Sequence, residues 1–295
     1  MNDLKKPLNN ADQVKRLRTH NMTIEDSAFA ARVLSTKNYY RFTGYALQYR
    51  ISPHNSDYIP GTSFSKIYKI CCFDEALRNL LKKYIEIIEV YFSTQNSYNF
   101  AITKCAEPPH NQHYDRNNYY NQLHFDQILQ SFSNKKKYYS DSLILQHHIK
   151  NYQGKLPLWA MVEMLSFSDL SKLYACMYTS DQIAIASAVG KVNAKTLKNH
   201  LHCLSILRNK CAHAVRLYNT TFNNPPAVLG TPFLRKHPEI INTTLFAYIL
   251  VLSRRLPDAQ HRQLFSAELQ AIINEFINDI DFELIGFPIN YPDFL

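Results

Sequence analysis

Apolar residues recur every three or four positions along most of the chain, the spacing that forms one face of an α-helix. The longest such stretch runs from Ser63 to about Cys105 without proline or glycine. It predicts one long helix, with a break near Phe73 and Asp74 as an alternative. Thr23 is predicted to cap a second helix. The pattern predicts further helices at about 12–20, 24–36, 119–152, 158–178, 180–189, 193–218, 242–255 and 261–280.

Composition supports an all-α fold. Only 6 of the 295 residues are glycine, whereas sheet-rich and α/β proteins need glycine at turns and phosphate loops. Hydrophobic residues make up 46% of the chain and charged residues 19%, which excludes a disordered protein. The six cysteines form no C-x-x-C pair and are interpreted as reduced thiols.

We expect a cytoplasmic protein with no membrane partner. The first residues are polar and contain no apolar signal segment. The longest apolar run, Leu245 to Leu252, is far shorter than the roughly 20 residues that would cross a bilayer.

Three segments are predicted along the chain. Residues 1–60 form an N-terminal helical segment, residues 61–221 a helical core, and residues 222–295 a loop followed by a C-terminal helical extension. The stretch 223–238 contains four prolines and is predicted to be a linker or an extended surface loop.

The formal net charge is +9 and the pI about 9.1. Such an excess favours a polyanionic partner, with nucleic acid first, although some basic proteins have no such partner. Lys135, Lys136 and Lys137 form a basic run, which is a candidate RNA contact. A solvated turn is the commoner interpretation of a run of this kind.

The candidate chemistry lies on the helix that begins near Asn193. Arg208 interrupts an apolar stripe that contains Leu197, Leu201 and Leu204, and an arginine there must be paired, reach solvent or face a polar cleft. Asn209 and His213 lie four residues apart and share a face, with Arg216 next along the same line. No carboxylate is near this cluster in the sequence.

These residue types suit cleavage of RNA without a metal. When the 2′-hydroxyl attacks the adjacent phosphorus, a histidine such as His213 can move protons. An arginine such as Arg208 can stabilise the charge on the phosphorus oxygens. Asn209 could orient the phosphate or fix the tautomer of His213. Since attack and departure need both a base and an acid, a two-fold dimer that brings two copies of this helix together would supply the second histidine.

Two other interpretations of the cluster stay open. A surface histidine with an arginine near the end of a helix is common without any catalytic role. A metal site would have to draw on His200, His202, Cys203, Cys211 and His213. Cys211 and His213 point away from each other on a helix, so no metal ligand set and no cofactor are predicted.

Several blocks, in order, resemble the Abi-like proteins of bacterial abortive-infection systems (the AbiD and AbiF group) over about Lys5 to Asn219. Two positions depart from the usual family pattern: Ser168-Asp169 stands where glycine and a small residue are usual, and Ala214 where many members carry a second histidine. The blocks are Asn38–Tyr45 (NYYRFTGY), Ile85–Val90 with Thr94-Gln95, Leu156–Trp159, Leu165–Tyr174, and Arg208–His213 with Arg216–Asn219.

The family is similar to the HEPN superfamily, helical proteins whose R-x4–6-H motif forms a ribonuclease site across a dimer. The resemblance implies a HEPN-like bundle in which Arg208 and His213 are catalytic and Asn209 assists them. It also implies a role in phage defence, with a small structured RNA or an antitoxin as further partners. The predicted RNA contacts are Arg216, Arg41 and Lys135–Lys137. The alternative is an RNA-binding module that holds a small structured RNA without cutting it.

Overall fold

The computed structural model describes residues 6–190 and 192–295, and all regular structure in them is helical. Thirteen α-helices and several short 3₁₀ turns are present, with three isolated β-bridges and no strand within these ranges. The predicted all-α class is confirmed. Residues 1–5, where the predicted N-terminal segment and the family resemblance begin, lie outside the described residues.

The helices are numbered in chain order. They are α1 (Asn10–Thr19), α2 (Ser27–Thr36), α3 (Tyr39–Tyr45), α4 (Phe64–Lys104), α5 (Gln122–Tyr138), α6 (Leu143–Tyr152), α7 (Leu158–Met161), α8 (Phe167–Cys176), α9 (Thr179–Ala188), α10 (Ala194–Ala212), α11 (Thr231–Lys236), α12 (Leu245–Arg255) and α13 (Ala259–Phe276). No helix of the described ranges is long and apolar enough to cross a membrane.

Helix α4 is the central element, against which α3, α9, α10, α12 and α13 pack. It runs for 41 residues, beginning after Ser63, whose hydroxyl accepts a hydrogen bond from the Lys66 amide at 3.1 Å. The alternative of a break near Phe73 and Asp74 is wrong. Both residues are fully buried, and the apolar spacing continues through them because they face the core.

Two of the predicted helical regions each form more than one element. The region 119–152 forms two helices, α5 and α6, and the region 158–178 forms α7, a 3₁₀ turn and α8. Ser166 starts α8 with a reciprocal capping box that it forms with Asp169. The cap of α2 is Asp26, whose carboxylate accepts from the amides of Ala28 and Phe29 at 2.8 and 3.0 Å. Thr23 is not a cap; it forms an isolated parallel bridge with Ser63.

The C-terminal residues belong to the same continuous core as the rest of the described chain. Every residue from Leu245 to Ser253 on α12 is buried, and α12 packs against both α10 and α4. The proline-rich stretch is anchored to this core: the Tyr248 hydroxyl donates to the Pro225 carbonyl at 2.6 Å, and Ala227 and Leu229 are buried. It is therefore a packed loop that contains α11, and the linker interpretation is wrong.

A buried polar network joins α3, α4 and the chain that follows α10. The Asp74 carboxylate has no solvent exposure and accepts from the Tyr45 hydroxyl at 2.6 Å and from the Tyr218 amide at 2.8 Å. It also accepts from Arg78 and from the Leu217 amide. Burial raises the pKa of Asp74, whereas the Arg78 charge and the donated hydrogen bonds lower it. Because every partner donates, the network uses the carboxylate in its ionised form.

This network should dominate the stability of the fold. Replacing Asp74 by Asn leaves the Arg78 guanidinium buried without a counter-charge, so we expect the free energy of unfolding to fall by about 3–5 kcal/mol. The measurement is urea unfolding followed by circular dichroism. The control is Glu75→Gln at the next position, which removes an exposed ion pair to Lys37 at 2.8 Å and should cost less than about 1 kcal/mol. Equal decreases in the free energy of unfolding of the two variants would show that the Asp74 network contributes no more than an exposed ion pair.

Candidate active site at the end of helix α10

Helix α10 is held by its apolar face. Leu197, Leu201 and Leu204 are buried, as the stripe predicted, and they face the surrounding helices, of which α8, α12 and α4 make the most extensive contacts. Asn193 caps the helix by accepting a hydrogen bond from the Thr196 amide at 2.8 Å. Leu207 and Cys211 continue the buried face to the end of the helix, while Asn209 and Ala212 face outward in its last turn.

The helix ends earlier than its periodicity predicts, at Ala212 instead of Tyr218. Ala214 has a left-handed backbone, with φ of 51°. The Val215 amide donates to the Lys210 carbonyl at 2.8 Å, and the Ala214 amide to the Cys211 carbonyl at 3.1 Å. These two bonds form a Schellman motif, in which His213 is the C-cap residue that follows the last helical residue.

The early end changes which side chains share a face. The His213 amide still donates to the Asn209 carbonyl at 3.0 Å, so these two residues lie one turn apart, as predicted. Arg216 does not continue their line, because the chain has already turned away. Its guanidinium is partly buried and donates to the Gly44 carbonyl, which ties the end of α3 to the segment after α10.

Arg208 reaches a cleft of about 540 Å³ between α4, α10 and the residues around α7. Its side chain is 38% exposed, and its Nε lies 3.6 Å from Glu89 Oε2 on α4. Glu86 and Glu163 also line the cleft, with Lys82 beside them. The fold thus brings three carboxylates into the cleft that Arg208 lines, and one of them into contact with it, although none is near Arg208 in the sequence.

Glu89 is the most constrained of these carboxylates. Burial raises its pKa, while the charge of Arg208 acts in the opposite direction. The two side chains are 38% and 21% exposed, and their N–O distance of 3.6 Å is long for a direct hydrogen bond, so we expect the pair to contribute no more than about 1 kcal/mol. The contact is therefore weak enough for a stronger anion to replace Glu89 at the guanidinium.

Asn209 and His213 face solvent beside this cleft. The Asn209 amide nitrogen donates to the Ser168 hydroxyl at 3.1 Å, so one of the positions that departs from the usual family pattern orients a predicted site residue. Within the described residues, the His213 ring makes no hydrogen bond or ion pair. Its nitrogens are therefore available to a ligand, and Arg208, Asn209 and His213 gather at one end of α10.

The predicted RNA contacts are spread over the surface and differ in how far they are already engaged. Lys135 forms an ion pair with Asp169 at 2.5 Å, and Lys136 donates to the Gly154 carbonyl at 2.7 Å. Lys137 and Arg41 are exposed and form no ion pair with the described residues. Of the five predicted cations, these two are the ones free to meet a phosphate.

The alternative metal site does not form in the described part of the chain. His200 is buried, its Nε2 lies 2.8 Å from the Val228 carbonyl, and burial lowers its pKa to about 4. In residues 6–190 and 192–295 no group of three His, Cys, Asp or Glu side chains is placed to hold a metal ion.

The sequence of this site matches a known family. Residues 32–219 match the Abi-like proteins. The chain belongs to the Abi-like protein family. The match covers well over half of the 295 residues and contains α3, α4, α8 and α10, which build the Asp74 network and the cleft. Comparisons with curated proteins and with solved structures found no match. Membership of the family suggests a function in abortive infection.

Two contributors to the site of this Abi-like protein were not predicted, namely Glu89 and Ser168. Glu89 lies one turn from Glu86 in the block of α4 that resembles the family. This pair of glutamates could have identified Glu89 as a candidate site residue. No sequence pattern indicated that this turn of α4 would face Arg208.

Ala214 should be replaceable by glycine with a gain in stability. A non-glycine residue in the left-handed region is strained by about 1–2 kcal/mol, and the added backbone freedom of glycine offsets part of the relief. We expect Ala214→Gly to raise the free energy of unfolding by about 0.5–1 kcal/mol. The control is Ala212→Gly, in ordinary helical backbone, which should lower it by about as much. The free energies of unfolding of both variants are measured by urea unfolding. A lower value for Ala214→Gly than for the unaltered protein would contradict backbone strain at Ala214.

Proposed function

We propose that this Abi-like protein is a metal-independent endoribonuclease of the HEPN type that acts in abortive infection in the cytoplasm. Arg208 and His213 are its catalytic residues, and Asn209 assists them. The observation that supports this most is their common location at the end of α10. Arg208 and Asn209 lie there together with His213, whose ring makes no hydrogen bond with the described residues. The buried face of α10 is committed to packing, and these three side chains lie outside it.

The chemistry follows from the spacing. Arg208 and His213 are five residues apart, which is about 7.5 Å along a helix axis, and long side chains can span this from two sides of one phosphodiester. The 2′-oxygen forms a bond to phosphorus as His213 takes its proton, and the bond from phosphorus to the 5′-oxygen breaks as that oxygen gains a proton. Arg208 stabilises the charge on the non-bridging oxygens. The products are a 2′,3′-cyclic phosphate and a 5′-hydroxyl.

Glu89 must leave Arg208 for this reaction to occur. A phosphate that accepts two charge-assisted hydrogen bonds from the guanidinium binds it more strongly than a single carboxylate contact at 3.6 Å. The exchange is therefore favourable once an RNA phosphate is present. In the absence of RNA, Glu89 holds the guanidinium in the cleft.

A dimer is proposed because one chain provides one suitable histidine. The other exposed histidine of α10 is His202, which is eleven residues from His213, or about 16 Å along the helix axis, too far for the same phosphodiester. A second copy of α10 across a two-fold axis would supply the missing acid. The polar partner that Arg208 requires is already present as Glu89, so the position of Arg208 no longer supports a dimer.

The alternative function is an RNA-binding module that holds a small structured RNA without cutting it. The Glu89–Arg208 ion pair favours this alternative, because a guanidinium already engaged by a carboxylate gives less stabilisation to the charge that develops on a reacting phosphate. Under this alternative, loss of Arg208 or His213 weakens binding and there is no cleavage to lose. An antitoxin or a small RNA would be a further partner in either case.

Cleavage by the purified protein separates these functions. Arg208→Ala and His213→Ala should each lower the rate by at least about a hundredfold, the usual scale for one charge-stabilising or acid–base group. Both side chains are outside the packed core, so both variants should remain folded. Cleavage should continue in excess chelator and leave 2′,3′-cyclic phosphate ends. Products with a 3′-hydroxyl, or activity that chelator abolishes, would exclude the mechanism.

The matched controls lie on the same helix. Lys198→Ala removes an exposed cation and His202→Ala an exposed histidine, and neither should lower cleavage more than about twofold, a change well under 1 kcal/mol. Sedimentation velocity on the same samples should show a dimer. An equimolar mixture of the two catalytic variants should recover little activity, since each mixed site lacks half its groups. A fully active monomer would exclude the composite site.

RNA affinity should fall steeply as the salt concentration rises, because the net charge of +9 favours release of counterions from RNA. Arg41→Ala and Lys137→Ala should each lower the slope of log affinity against log salt by about 1. Lys135→Ala should change it less, since its ammonium is already paired with Asp169. Fluorescence anisotropy with a labelled RNA at several salt concentrations measures the slopes. A flat salt response would contradict electrostatic RNA binding.

A further inference from the structure

A cavity of about 650 Å³ lies between α1, the α2–α3 corner and the loop at residues 50–58. Its volume is within the range of roughly 300–1,000 Å³ that is typical of sites for small ligands. It shares no lining residue with the cleft at Arg208. Tyr39 and Tyr40, from the NYYRFTGY block, form part of its wall, and the proposed cleavage site uses neither.

The wall of this cavity is positively charged. Lys6, Arg16 and Arg50 line it, and no aspartate or glutamate does. Within the described residues none of these three cations forms an ion pair, whereas Arg78 and Arg208 both do. His20 also lines the cavity, with its Nδ1 2.9 Å from Asp57 Oδ1. Unpaired cations around a concave surface concentrate a positive potential, so the cavity favours an anion.

The wall also has hydrogen-bonding groups that are not used. Arg50 Nε and Gln13 Oε1 are buried and have no partner, although the Gln13 amide nitrogen donates to the Leu8 carbonyl at 3.0 Å. Buried polar atoms are bonded in the great majority of cases. One unused donor and one unused acceptor in the same wall indicate a place built for a polar ligand.

Aromatic side chains stand next to these cations. Tyr40 is 69% exposed, and its ring lies edge-on to Tyr39 with their centroids 5.9 Å apart. Burial raises the pKa of Tyr39, and the neighbouring charge of Arg16 acts in the opposite direction, so cation and ring are adjacent. An exposed tyrosine face gives a planar base a surface on which to stack.

We propose that this cavity binds a phosphorylated nucleotide, with its phosphate on Arg16, Arg50 and Lys6 and its base stacked on Tyr40. The nucleotide is either free or the 5′-phosphorylated end of an RNA, since both present the same groups. The cavity is fixed relative to the end of α10, because Arg216 bonds to Gly44 at the end of α3. This site does not depend on the proposed cleavage, and a mononucleotide contains no phosphodiester to cut.

Calorimetric titration of the full chain with adenosine 5′-monophosphate tests the site. We expect a Kd below about 1 mM, and Arg16→Ala and Tyr40→Ala should each weaken it at least tenfold, which corresponds to about 1.4 kcal/mol. Both residues are exposed, so both variants should fold, which thermal unfolding checks. Inorganic phosphate should bind more weakly than the nucleotide and should not respond to Tyr40→Ala.

The controls remove the same groups elsewhere. Arg32→Ala deletes an exposed arginine of α2 outside the cavity, and Tyr138→Ala deletes a tyrosine that is 82% exposed at the end of α5. Neither should change the nucleotide affinity more than about twofold, well within 1 kcal/mol. Absence of nucleotide binding, or equal losses in Arg16→Ala and Arg32→Ala, would overturn the proposal.

A competition experiment separates the two sources of the nucleotide. Short oligoadenylates with a 5′-phosphate or a 5′-hydroxyl are added to the His213→Ala protein, in which the proposed cleavage cannot consume them. Displacement of the mononucleotide by the 5′-phosphorylated form alone supports an RNA end as the ligand. Displacement by neither form supports a free nucleotide. Equal displacement by both forms would show that the phosphate is not recognised and would overturn the site.

Discussion

Asp74 lies in the N-terminal third of α4 with no solvent exposure, where an isolated carboxylate would be very costly. The cost is offset because donors from three separate parts of the chain converge on it: Tyr45 from α3, Arg78 from α4, and the amides of Leu217 and Tyr218. Those two amides can reach Asp74 only if the chain has left the axis of α10 by then. The requirement of one buried carboxylate therefore accounts for the turn at Ala214, where the helix stops although its sequence could continue it.

That turn determines what the candidate site looks like. By ending α10 at Ala212, it leaves His213 exposed as the C-cap residue, and it directs Arg216 toward Gly44 and away from the site. The same end of α10 carries Arg208 into a cleft whose other wall is α4. A substitution in the Asp74 network would thus shift the proposed catalytic residues although it does not contact them. The position of His213 therefore depends on the hydrogen bonds that Asp74 accepts.

The parts of the fold that depend on neighbouring residues in the chain could be predicted from the sequence. The leucine stripe of α10, the length of α4 and the helix at 180–189 follow from spacing alone. Two kinds of feature could not be predicted. Ala214 adopts a left-handed backbone conformation that is unusual for alanine and that the sequence therefore does not predict. The hydrogen bonds of the following residues to Asp74 impose it. The pairing of Arg208 with Glu89 joins residues more than a hundred positions apart, and single-sequence spacing carries no information about such contacts. The predicted cap of α2 was wrong for a simpler reason. Thr23 and Asp26 both suit the start of a helix, and the contacts of the folded chain determine which of them caps it.

The distribution of charge constrains how RNA can reach the proposed site. The chain carries an excess of nine positive charges, yet the cleft at Arg208 holds three glutamates against two cations. Long-range attraction therefore cannot come from the cleft itself; it must come from cations elsewhere, such as Arg41, Lys137 and the N-terminal cavity. Under the proposed function, an RNA held at those positions would present a phosphodiester to Arg208 at high effective concentration, and this would favour replacement of Glu89 by the phosphate. A free dinucleotide lacks such anchoring, so the proposed ribonuclease should cleave a dinucleotide more slowly than a longer RNA that also reaches those cations.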